Sequence, residues 1–131
     1  MNNIEFFMQM IPPTVTAQEK KVSFKSKRFY DEPTLKEAKL KLKSHLAAYV
    51  PEKPFDGPLQ VVTKWVFPVI KGKKNGQYKH TKPDTHNLNK ALFDIMEDLG
   101  FFVNDSRVAS EIIEKFWGDI PGIYVAIRKL K

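Results

Sequence analysis

The chain has 131 residues, a formal charge of +7, 42% apolar residues including ten phenylalanines, and no cysteine. That apolar content excludes a disordered chain. The missing cysteines exclude a disulfide framework or thiolate metal site, and no apolar run approaches the ~18 residues of a membrane span. The cation excess predicts a polyanionic partner, nucleic acid ahead of an anionic membrane.

Met1 to Glu5 carries no Lys or Arg, so no signal peptide is expected, and a cysteine-free chain suits a reducing cytoplasm. Ile4 to Met10 reads as a first strand, stopped by Pro12 and Pro13. Gln18 to Arg28 is a lysine-rich loop with Val22 and Phe24 as anchors, closed by Phe29 and Tyr30. Pro33 opens an amphipathic helix, with Leu35, Ala38, Leu42, Leu46 and Tyr49 inward and Lys36, Lys39, Lys41 and Lys43 outward. Pro51, Pro54, Gly57 and Pro58 make a loop, and Leu59 to Phe67 reads as a strand. Lys71 to Lys82, with five lysines, two glycines and no acid, predicts a solvated, mobile loop.

Pro83 separates that loop from a second helix, with Asp84 or Thr85 as N-cap and Gly100 as C-cap. Leu88, Ala91, Leu92, Ile95 and Leu99 form its buried face, leaving His86, Lys90, Asp94 and Glu97 on an outer stripe. Val108 to Trp117 and Ile123 to Ile127 read as the last strands. The expected fold is α+β, one domain over residues 1–131, with two main helices on a small mixed sheet in the order β-α-β-α-β-β.

Asp84, His86 and Asp105 meet around a divalent cation if the Phe101–Val103 segment runs back along the helix N-terminus. Separated carboxylates are how proteins build such a site, and the ion supplies hydroxide and charge stabilisation for phosphodiester cleavage. Lys90, one turn after His86, is placed to hold a phosphate oxygen. Lys73, Lys74, Lys79, Lys82 and Arg28 are the expected backbone contacts to nucleic acid. Plain structural readings stand beside these. Asp84 serves as an N-cap, Asp105 as a turn residue, Lys90 and Asp94 as a weak ion pair, and His86 as a solvated side chain.

The run Lys82-Pro83-Asp84-Thr85-His86-Asn87-Leu88-Asn89-Lys90-Ala91, followed by Gly100-Phe101-Phe102-Val103-Asn104-Asp105-Ser106-Arg107-Val108, resembles the RusA-type Holliday-junction resolvases. That family, commonly encoded by phages and prophages, has an Asp-x-Asp-Asn-x-x-Lys helix start and a Gly-Phe/Val-x-x-Asp-Asp segment after the helix. Asp84, Asn87, Lys90 and Asp105 fall on matching positions, and Asn87 joins the expected DNA contacts. The early Pro12-Pro13 and the Phe29-Tyr30-Asp31-Glu32-Pro33 lead-in to the first helix fit as well. The resemblance implies a homodimer that nicks four-way DNA junctions at symmetry-related positions with Mg²⁺, in recombination and repair.

His86 stands where the family has its second Asp. Imidazole suits Mn²⁺ better than Mg²⁺. Here His86 acts as a ligand, acts as a base or proton shuttle, or leaves the enzyme impaired. The last case is the alternative function: a junction-binding protein with weak or no cleavage.

Overall fold

The computed structural model describes residues 3–14, 21–23, 28–30 and 33–131, with backbone alone for residues 21–23, 28–30 and 33–35. Strand β1 (Ile4–Gln9) is followed by β2 (Lys21–Ser23), β3 (Arg28–Tyr30), helix α1 (Pro33–Leu46) and a 3₁₀ turn (Ala47–Tyr49). Then come β4 (Leu59–Pro68), α2 (Thr85–Leu99), a second 3₁₀ turn (Asp105–Arg107), β5 (Val108–Gly118) and β6 (Gly122–Lys129). The main sheet has the order β1-β6-β4-β5. β4 and β5 pair in parallel and the other neighbours antiparallel, so α2 is the crossover of a β-α-β unit. This is the α+β mixed sheet with two helices that the residue pattern predicts.

The short β2–β3 hairpin is an addition: Lys21 pairs with Tyr30 and Ser23 with Arg28 within the stretch expected to be a loop. The Phe24 anchor, Gln18 to Lys20 and the side chains of Val22, Arg28 and Leu35 lie outside the described residues.

Strand alternation sends Val61, Trp65 and Phe67 of β4, and Ile123, Val125 and Ile127 of β6, to one face of the sheet. Both helices cover that face, α1 through Leu42 and Leu46, α2 through Leu88, Leu92, Ile95 and Met96. Tyr49, expected inward, is 40% exposed but stacks on Phe6 with ring centroids 4.3 Å apart.

Among the described residues, two polar side chains, Thr63 and Asn89, sit in this apolar layer. Asn89, 1% exposed, accepts through Oδ1 from Thr63 Oγ1 at 2.7 Å and from Trp65 Nε1 at 3.2 Å. Its Nδ2 donates to Glu111 Oε1 on β5 at 2.8 Å. A buried amide is tolerated because its bonds are made inside the protein.

The 71–82 segment differs from the mobile loop expected. Gly76 N donates to Trp117 O, Trp117 N to Gln77 O and Lys79 N to Lys115 O, at 2.7, 2.8 and 3.0 Å. Tyr78 stacks on Phe116. β5 is an edge strand, and this segment covers its open side at residues 115–117. Lysine count misleads here because the pairing is made by backbone.

Replacing Asn89 with Leu leaves the Thr63 hydroxyl proton without its acceptor in the core, although Trp65 Nε1 still donates to the hydroxyl oxygen at 3.1 Å. The expected cost is about 2–3 kcal/mol in urea unfolding. A change under about 0.5 kcal/mol would mean the amide does not anchor the helix.

Candidate active site

Helix α2 starts where its cap allows. Asp84 is extended (φ −71°, ψ 138°), and its Oδ1 accepts from His86 N at 2.7 Å. With Leu88, Asn89, Ala91, Leu92, Ile95 and Met96 buried, the outer stripe has to be His86, Lys90, Asp94 and Glu97. His86, Lys90 and Asp94 are exposed, while Asn87 and Glu97 are half-buried.

The C-terminal end decides where Asp105 goes. Gly100 adopts the left-handed conformation (φ 92°, ψ 28°), which favours glycine, and Phe101 N donates back to Met96 O. Phe101 and Phe102 are then buried beside Phe55: Phe55 N donates to Phe101 O and Val103 N to Phe55 O. This pairing holds residues 101–103 at the C-terminal end of α2, so they do not return to its N-terminus. Asn104 caps the following 3₁₀ turn through Ser106 N, and Asp105 N donates to Glu97 Oε1 at 2.7 Å.

Within one protomer the structure does not bring Asp84, His86 and Asp105 together. Asp84 precedes Glu97 by thirteen residues, on the order of 20 Å of helix axis at 1.5 Å per residue. The Asp84 and Asp105 carboxylates stay well beyond the roughly 5 Å that two oxygen ligands of one ion span. Among the described residues no three His, Asp or Glu side chains are grouped to hold a metal ion.

The structure instead gathers Asp105 with Asp94 and Glu97. Asp94 has its pKa raised, first by burial and then, against the opposing pull of Lys90, by the negative charges of Asp105, Glu97 and Asp98. Lys90 stands one turn before this acidic group, so the outer face of α2 runs from His86 through a cation to carboxylates.

At the other end, β5 returns antiparallel to α2 and delivers a lysine to Asp84. Lys115 Nζ donates to Thr81 O at 2.6 Å and to Pro83 O at 2.7 Å. Burial lowers its pKa, while the charge of Asp84 acts in the opposite sense. The sequence carries no local sign of this role for Lys115.

The lysines expected to contact nucleic acid divide by environment. Lys74 and Lys82 are exposed and Lys73 half-buried. Lys79 is buried at 9% exposure, with its ammonium 4.3 Å from the Trp117 ring centroid and 2.5 Å from Thr81 Oγ1. It holds the loop to the sheet, and burial, ahead of repulsion from Lys115 and Lys73, lowers its pKa. Arg28 lies in β3, its side chain outside the described residues.

Compared with known families, residues 10–128 match the family described as Endodeoxyribonuclease RusA. No curated protein matches the chain.

The raised pKa of Asp94 fixes the sign of a pH effect. A carboxyl group raised on folding favours the folded state below its ordinary value of 3.8 and loses that contribution as pH rises through the folded value. Asp94→Asn is thus expected to be more stable than wild type at pH 7, with the difference shrinking towards pH 3.8. Parallel melting curves across pH check this; a variant less stable at pH 7 would contradict it.

Proposed function

The chain belongs to the RusA endodeoxyribonuclease family, and from that premise we propose that it resolves four-way DNA junctions by paired phosphodiester hydrolysis, as a homodimer of one-domain protomers. The observation that carries this reading is the placement of Asp84, His86, Asn87 and Lys90 on the first two turns of one anchored helix, directly after the exposed Lys74 and Lys82. A nucleic-acid backbone gripped by those lysines passes over the residues that match the family's motif. Two equivalent sites suit a substrate with two strands to cut.

In this reading Lys73, Lys74 and Lys82 supply affinity through phosphate contacts, and Asn87 adds a polar contact at the helix start. Lys79 contributes through the loop it pins. Lys90 offers a compact cation to a phosphate oxygen and is stabilising where negative charge builds on the phosphoryl oxygens. Asp84 and Asp105 are the proposed acids of the reaction, at opposite ends of α2 within one protomer. A divalent ion, which family resemblance implies, supplies Lewis acidity and hydroxide when bound. Among the described residues of one protomer, no three His, Asp or Glu side chains are already grouped to hold it. His86 in an acid position favours Mn²⁺ over Mg²⁺.

The separation of these acids also favours a second reading, in which the protein holds branched DNA and cuts it weakly or not at all. One experiment separates the two. A labelled mobile four-way junction is incubated with wild type, Asp84→Asn and Asp105→Asn, with Mg²⁺ and Mn²⁺ in turn, and run on native and denaturing gels. Symmetric nicks by wild type, lost by about 100-fold in both variants with binding retained, are expected. Binding without nicks would install the second reading, and absence of junction binding would defeat both.

A further inference from the structure

We infer that Lys115 is a positioning residue for Asp84: its ammonium, clamped between the carbonyl oxygens of Thr81 and Pro83, fixes the loop that carries this acid and the attitude of its carboxylate. The inference rests on the proposed role of Asp84 in strand cleavage.

Three observations meet at this residue. The side-chain bonds to Thr81 O and Pro83 O, 2.6 and 2.7 Å, are made in a half-buried setting. An ammonium has three donors, so these two bonds leave one on a group that feels the charge of Asp84. The backbone of the same residue also holds the preceding stretch, since Lys115 O accepts from Lys79 N at 3.0 Å. One residue of a long, doubly anchored strand thus ties the chain on both sides of His80. A shallow pocket opens there, lined by residues 80–85 and Lys115.

The consequence for Asp84 is geometric. Its Oδ1 is committed to His86 N, which leaves the second oxygen for chemistry. Where that oxygen points depends on the backbone from Thr81 to Asp84. Local side-chain bonds in this segment are few: the hydroxyl of Thr81 is used by Lys79, and Pro83 has no N–H. Lys79 reaches the Thr81 hydroxyl, and Lys115 ties the carbonyls of Thr81 and Pro83, the side of the segment nearer Asp84, to the sheet. Methionine at 115 keeps the stem and loses the donors. Arginine keeps the charge but spreads it over a planar fork too wide for one point between two carbonyls.

The test uses the full chain with Lys115→Met and Lys115→Ala, beside wild type and Asp84→Asn. Turnover on saturating four-way junction is expected to fall about 100-fold in Lys115→Met, with junction affinity within about threefold. Amide exchange should rise about tenfold or more across residues 84–88 and stay unchanged across 91–99. Added ethylammonium should restore part of the turnover of Lys115→Ala, which loss of packing alone would not permit. If Lys115→Met melts below assay temperature, Lys115→Leu, which also lacks donors, takes its place with the same expectations. Turnover within about threefold of wild type, or unchanged exchange at 84–88, overturns the inference. If wild type itself does not nick, the resolvase reading fails, and the exchange contrast alone decides whether Lys115 positions Asp84.

Discussion

The buried amide of Asn89 is the interaction on which the arrangement of this protein depends. Its oxygen is engaged by Thr63 and Trp65 of the central strand and its nitrogen by Glu111 of the edge strand. With both ends of the amide assigned, α2 cannot rotate about its axis. A helix turns about 100° per residue, so fixing Asn89 inward puts His86 and Lys90 outward. Leu88 and Leu92 add burial energy, but apolar contacts alone tolerate small rotations. The amide does not, because a misplaced buried polar group costs as much as several such contacts save.

Strand order supplies the second constraint. β4 and β5 are parallel, so the chain must return through α2 before β5 begins. After the short 100–107 segment, β5 therefore starts at the C-terminal end of α2, and the far end of β5 reaches the other. Asp105 is left with Asp94 and Glu97, while Lys115 arrives at Asp84. The motif-matching residues Asp84, Lys90 and Asp105 are thereby spread along the outer face of α2. That face is long and exposed, with cationic loop residues at one end and carboxylates at the other, which suits an extended polyanion better than a small molecule.

Much of this was legible in the sequence because it is local. Asp84, Gly100 and the Leu88-to-Leu99 spacing mark the helix and both its ends with no reference to the rest of the chain. What failed to show is non-local. Phe55 lies in a stretch rich in proline and glycine, and nothing nearby says that it captures Phe101 and Phe102. The path of residues 101–105, and with it the place of Asp105, hangs on that capture. The lysines of residues 71–82 pointed to solvent, yet the need of an edge strand for partners drew residues 76–79 onto β5. Asn89 did carry a signal: an amide beside Leu88 and Ala91 on the apolar arc has to find partners in the core. Lys115 gave none, since its partners are carbonyls thirty-two and thirty-four positions away.

The antiparallel run of α2 and β5 is tested most directly by a distance. The chain has no cysteine, so Thr85→Cys and Ser106→Cys place two spin labels without competing sites. Doubly labelled protein, diluted in unlabelled protein to silence contacts between copies, is measured by dipolar EPR. The helix rise predicts a separation of roughly 15–25 Å. A main population below roughly 12 Å would bring the two acids into reach of one ion and contradict the placement of Asp84 and Asp105 at opposite ends of the helix.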